Sequence, residues 1–475
     1  MEFFSNVIRA LYVVFLIYSL FYMAHWVVGL FISIHRLSRF EETQEQITRI
    51  FPLEIARKVP VSVIIPAHNE SACICDTVAA LLKAEYPSLE IIVVDDGSTD
   101  GTSDLLTEHY DLKPSPYVYS ACLKTQPVRE YYKNSIGDKQ LVLIQKENGG
   151  KADALNCGLN FSHNAYCVMV DADTQIRPDA IRIMAHHFMM DRRTVVCAGA
   201  VGTLLHCDDL YRKLSPVHKL LVMFQHMEYY RTFYMQRVLF NTINANVIVS
   251  GAFAMFDRQL VMQAGGYRTN TIGEDMELTM RLHAFCMSQH REYKIVYAPE
   301  ARCDTQVPFR YRDYFRQRRR WHIGMIQSLR HHLYMIGNRY YGFVGTLSVL
   351  FTLIYELLAP TIEIAGVVLL VFSAMLDMLD PVFACTIAVL YLLISLMTQS
   401  LLLDSLDVYG VEPVSVKQHI LLILTAATEA FLFHPINMII KIGAQFTYRK
   451  HKATWSHIKR VHEDKSPQPE TSPAS

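Results

Sequence analysis

Long apolar stretches lie only toward the two ends of this chain, and they leave a polar stretch of ordinary domain size between them. The first run, over 7–34, holds Arg9 and His25 as its only basic residues and no acid. About 20 residues suffice to cross a bilayer, so this run reads as a retained, tilted helix. It is too long for the core of a cleaved signal and lacks a small-residue cleavage site. Arg36 and Arg39 follow it, which puts its C-terminal end on the cytoplasmic side. Further apolar runs cover 342–358, 361–376, 382–403 and 420–440. Glu356, Pro360 and Glu363 interrupt the first two, which read either as two helices or as one kinked helix. Lys441, Arg449, Lys450 and Lys452 should lie on the same side as the polar stretch. That requires an even number of crossings, and four is favoured. The expected organisation is a span over 1–40, a soluble domain over 41–310, an interface helix over 311–340, spans over 341–445 and a tail over 446–475, polar and disordered from 464 on.

Within the soluble stretch, short β-branched runs over 61–65, 90–94, 141–145, 166–170 and 194–198 alternate with helical patterns. Ile74, Val78, Leu81 and Leu82, and later Leu155 and Leu159, recur at helical spacing. That alternation predicts a mainly parallel α/β sheet covered on both faces. Residues 110–138 break the rhythm. Pro114, Pro116, Pro127 and several tyrosines predict an ordered insertion rather than a linker. Lys+Arg and Asp+Glu balance at 45 each, so net charge gives no sign of a nucleic-acid partner. Ten cysteines occur without a CxxC pair, which argues against a structural zinc site and a disulfide framework and for thiols in a reducing compartment. Six arginines fall between 310 and 320, on a stretch where Tyr314, Trp321, Met325, Leu329 and Leu333 recur at helical steps. Such a helix would lie among lipid headgroups.

Chemistry-bearing residues stand where open α/β sheets bind ligands, at the carboxyl ends of strands. Asp95-Asp96 follows one strand and Asp171-Ala172-Asp173 another. Either alone would read as a helix cap; two in one crevice point to a bound ligand. Asp171 and Asp173 are close enough to share a hard cation, Mg²⁺ or Mn²⁺, bridged to substrate phosphates. Asn148-Gly149-Gly150-Lys151 opens a helix and would present backbone N–H groups and an ammonium to an anion, or simply form a tight turn. Glu274 and Asp275 start another helix, where they suit its dipole. Asp275 also suits a general base for a sugar hydroxyl. Gln317, Arg320 and Trp321 supply a cation for a departing diphosphate and an apolar face for a pyranose ring. Arg318 and Arg319 read as interface anchors.

With these residues in this order, the chain resembles the processive, membrane-embedded family 2 glycosyltransferases, such as the poly-N-acetylglucosamine, hyaluronan, chitin and cellulose synthases. The resemblance runs from Val61 to about Gly366 through the Val61–Glu70 strand and loop, Asp95-Asp96, Gly150-Lys151-Ala152, Asp171-x-Asp173, Ser250-Gly251, Gly273-Glu274-Asp275 and the QxxRW element. It implies a GT-A (Rossmann-like) cytosolic domain inserted between transmembrane helices, a UDP-sugar donor, a divalent cation and inverting single displacement. Carried over by position, Pro66, Ala67, Glu70, Asp95, Asp96, Lys151 and Asp171 would bind the nucleotide sugar, and Asp171 with Asp173 the metal. Asp275 beside Glu274 would be catalytic. Ser250, Gly251, Gln317, Arg320 and Trp321 would line the acceptor cleft and channel mouth.

The wording is nearest that of the poly-N-acetylglucosamine synthases, which makes UDP-N-acetylglucosamine the expected donor. The expected setting is the bacterial inner membrane, with lipids, a growing polysaccharide and an accessory membrane or export subunit as partners. The 377–381 loop is too short for the gating loop of bacterial cellulose synthase. Two rival readings are a non-processive enzyme making a glycolipid and a catalytically silent scaffold or sugar sensor; the latter should have lost an acidic motif, and none is missing.

Overall fold

In the computed structural model, residues 2–117, 119, 121–204, 214–378, 380–412 and 415–450 are described. Ten strands form one sheet in the order β3-β4-β5-β2-β1-β6-β9-β8-β10-β7. Its centre is made of β1 (Val61–Ala67), β2 (Glu90–Asp95), β5 (Lys139–Lys146) and β6 (Tyr166–Val170), all parallel and built from the expected apolar runs. β1, β2 and most of β6 are buried along their length, as a strand covered on both faces must be. The second half is mixed. β9 (Phe253–Asp257) runs antiparallel between β6 and β8 (Thr194–Thr203). β10 (Lys294–Thr305) then runs parallel to β8 and antiparallel to β7 (Thr174–Ile176). The expected mainly parallel sheet is thus corrected to a parallel centre with antiparallel flanks. The sequence missed β9 and β10 because each lies among helical segments instead of in the repeating strand–helix rhythm.

The 110–138 insertion is ordered. Its β4 (Val128–Ile136) folds back antiparallel on β5, and the short β3 (Lys113–Pro114) pairs outside it. Tyr117, Tyr119 and Tyr131 pack around Phe161, which joins the insertion to the central helix Lys151–Phe161. The nine described cysteines are free thiols, six of them buried.

Two helices are long and apolar enough to cross a membrane, Asn6–Leu37 and Ala384–Val408. Two bent pairs pass the same test together: Val344–Leu357 with Ala359–Met375, at 53°, and Val416–Thr428 with Phe431–Thr447, at 41°. The described residues therefore hold two to four candidate spans. The first two C-terminal apolar runs form one broken unit, with Ala359 and Pro360 opening its second half.

The membrane helices are fastened to the sheet. Arg36 pairs with the buried Glu300 of β10 at 2.6 Å, and Arg302 of β10 pairs with Glu412 beyond the Ala384–Val408 helix. The arginine-rich segment forms the helix Tyr311–His331, which lies along His434–Thr447. Its Arg319 donates to the Thr447 hydroxyl at 2.9 Å.

Candidate active site

One cavity of about 610 Å³ runs from the carboxyl ends of the central strands to the membrane helices. At its sheet end, Pro66 and Glu70 extend from β1, and Gly149, Gly150 and Lys151 open the central helix. Asp171, Ala172 and Asp173 follow β6. Next come Ser250, Gly251, Glu274 and Asp275, and then Gln317, Arg320 and Trp321 of the arginine helix. Tyr22 and Trp26 of the N-terminal helix, with Tyr355, Glu363 and Glu429, line the far end. Segments hundreds of residues apart thus share one wall.

The turn at 149–151 is fixed from behind. The Asp96 carboxylate accepts the Gly149 and Gly150 N–H groups, at 3.0 and 2.7 Å. The fully buried Lys146 ammonium lies 2.5 Å from Asp96 and 2.6 Å from Asp153. Gly150 adopts φ +91°, and a Cβ on Gly149 would lie 2.5 Å from the Asp153 carboxyl carbon, so neither position accepts a side chain without rearrangement. Asp95 is equally occupied, accepting the Ser98 N–H at 2.9 Å and the Ser103 hydroxyl. Asp95, Asp96 and Ala67 are buried and lie behind the cavity wall, not on it. Asp96 thus shapes the loop that carries Lys151, and Asp95 the loop that follows β2.

Lys151 points into the cavity, 2.6 Å from Asp171 and 3.6 Å from Glu274. Burial works against its charge, but Asp171, Glu274 and Asp275 outweigh it and hold the ammonium above its usual pKa. Burial raises the Glu274 pKa; Lys151 pulls it down and Asp275 pushes it up. Asp275 accepts the Gly251 N–H at 3.1 Å, and this bond fixes its carboxylate on the cavity wall. No group of three or more metal-binding side chains occurs among the described residues. A pair of cavity-facing aspartates fits a cation that takes its remaining ligands from phosphates, because Mg²⁺ is usually held by one or two carboxylates plus substrate.

The arginine helix is locked to the loop that carries Asp275. Gly273 and Gly324 touch backbone to backbone, and a Cβ on either would lie 2.8 Å from the other. Gln327 accepts the Ile272 N–H at 2.8 Å, and Ser328 donates to the Gly273 carbonyl at 3.1 Å. One turn on, the fully buried Glu277 meets Arg268, Arg281 and His332. Burial opposes its charge, yet these three partners hold its pKa down at about 2.

Arg318 is not the lipid-facing anchor expected. It is 8% exposed, pairs with Glu228 at 2.7 Å and lies 4.4 Å over the Trp321 ring. The interface-anchor reading missed it because the helix turns residues 317, 318, 321 and 322 to the cavity, with Gln317, Arg318 and His322 buried there. Glu228, Lys146, Asp153 and Gly324 were also missed. Only the glycine had a local signal, a helix-breaking residue inside a strongly helical pattern.

The comparisons agree with this architecture. Residues 166–398 match the profile described as glycosyl transferase family group 2, and residues 62–120 match glycosyl transferase family 2. The chain carries family 2 glycosyltransferase domain matches and is a glycosyltransferase. Among its relatives is a poly-beta-1,6-N-acetyl-D-glucosamine synthase of Staphylococcus epidermidis, 28% identical over 309 residues, which cover 65% of this chain and 64% of the relative. Another, from Staphylococcus aureus, is 26% identical over 310 residues, with the same coverage. The chain thus matches a little under two thirds of these relatives' length. The mannosyltransferase PcManGT of Pyrobaculum calidifontis, solved with GDP-Man and Mn²⁺, superposes with a TM-score of 0.51 at 18% identity over 94% of this chain and 98% of that one. It shares the GT-A-like fold.

Proposed function

We propose that this chain elongates a β-linked polysaccharide processively from a UDP-sugar, with N-acetylglucosamine as the unit, and feeds the product into the membrane from the cytoplasmic face. The observation that carries this reading is the single cavity joining Lys151 and Asp275 to Tyr22, Trp26 and Tyr355. A product that stayed on a lipid would not need a passage bounded by aromatic rings beyond the acceptor. The relatives' printed names support the choice of sugar.

Asp171 and Asp173 would hold the divalent cation, which supplies charge stabilisation for the leaving diphosphate. Lys151 and Arg320 add fixed positive charge on that same side. The attacking hydroxyl must lose a proton as the new bond forms, and Asp275, oriented by the Gly251 N–H, takes it. Direct attack opposite the leaving group inverts the anomeric centre. Trp321, beside Gln317 and stacked on the Arg318 guanidinium, presents a flat face on which the acceptor ring rests.

The membrane path reads as three crossings: Asn6–Leu37, the bent pair Val344–Met375, and Ala384–Val408. The pair Val416–Thr447 starts beside Glu412, which Arg302 of the sheet holds, and ends at Thr447 against Arg319. Both its ends lie on the catalytic side, so it is read as a collar around the mouth. Two crossings after the catalytic domain satisfy the even parity expected from the basic residues, as four would.

The test is product length. Purified protein in nanodiscs, given UDP-N-acetylglucosamine and Mg²⁺ or Mn²⁺, should release UDP and make long chains. One or two sugars on a lipid would establish the glycolipid alternative instead.

A further inference from the structure

His322 follows Trp321 and faces the same cavity, yet it is 2% exposed and neither ring nitrogen has a hydrogen-bond partner. Leaving a buried polar group unmade costs free energy that a folded chain rarely tolerates without a use. Asn437 and Lys441 of the facing helix line this part of the cavity. Tyr314 donates to the Asn437 side-chain oxygen at 2.7 Å, which fixes that amide in place.

We propose that His322, with Asn437 and Lys441, forms a saccharide subsite beyond Trp321 that holds a ring of the chain already made through one of its hydroxyl groups. Burial first, and the Lys441 charge second, hold the imidazole pKa down to about 3, so the ring is neutral at working pH. A neutral imidazole offers one donor and one acceptor. That pair matches a hydroxyl, which both gives and receives, and suits a neutral sugar better than an anion. The inference rests on the polymerase reading above.

The test uses full-length enzyme in nanodiscs with β-linked N-acetylglucosamine acceptors of increasing length. His322→Leu removes an unpartnered polar group and should leave the melting temperature unchanged or higher. The KM for acceptors long enough to reach the subsite should rise about five- to tenfold, the worth of one hydrogen bond. The ratio of long- to short-acceptor KM should move, and UDP affinity should not. His322→Gln, which retains a donor and an acceptor, should recover part of the loss. An equal loss for every acceptor length, or no change for any, would overturn the subsite. A wild-type enzyme that adds no second sugar would instead overturn the polymerase reading, so the two failures are distinct.

Discussion

The donor end of the cavity and its membrane end are built by different means. At the donor end, each functional group sits within a few residues of a strand's carboxyl terminus, and backbone N–H groups bind the carboxylates that shape the loops. At the membrane end no strand contributes. Trp321, His322, Tyr355 and Glu429 come from helices that meet only by packing. The first kind of site is rigid because short covalent loops define it. The second is only as well placed as the contacts between its elements, and the backbone approach of Gly273 to Gly324 is a close one.

The two ends should therefore fail differently. The largest effect is expected at their junction: Asp275→Asn should lower turnover by about 10²- to 10⁴-fold, the usual contribution of a general base, while UDP binding measured by calorimetry stays near wild type. Wild-type turnover would remove Asp275 as the base. Next comes Gly324→Ala, which pushes the arginine helix off the Asp275 loop. Misplacement by about 1 Å can cost about 10²-fold, so kcat should fall by up to that amount with donor affinity retained. If donor affinity fell and kcat did not, the membrane end would not be the part that moved.

Removing divalent cations with excess chelator should abolish transfer, and restoring Mg²⁺ or Mn²⁺ should recover it. Synthesis unaffected by chelator would exclude Asp171 and Asp173 as metal ligands. Stability offers a smaller test. Glu277→Gln strips one carboxylate from two arginines and His332, and breaking a buried pair costs about 3–5 kcal/mol, so thermal unfolding should begin at a lower temperature. Because the folded-state pKa is depressed to about 2 from its ordinary value of 4.5, this stabilisation is present above about pH 4.5 and disappears as pH falls through about 2. The variant should flatten that acid limb of the unfolding curve.

The same contrast explains what could be read in the sequence. β1, β2, β5, β6 and β8 were legible as β-branched runs, and the cavity-facing Lys151, Asp171, Asp173 and Asp275 as loop residues at element ends. Asp95 and Asp96 were singled out for their place after β2, but the hydrogen bonds that tie them to the neighbouring loops are visible only in three dimensions. Arg318 and His322 were illegible because an arginine or histidine on an amphipathic helix looks alike whether it faces headgroups or a cavity. Apolar composition alone leaves two to four candidate spans open, because it cannot distinguish a helix that spans from one that lies along the surface.

In the proposed passage, product leaves beneath Trp321, between the apolar helices. A photo-crosslinking amino acid at Tyr355, on the cavity wall, and another at the exposed Val367 test it directly. With radiolabelled UDP-N-acetylglucosamine, label should attach at position 355 only during synthesis and not at 367. Active synthesis with no label at 355 would contradict the passage.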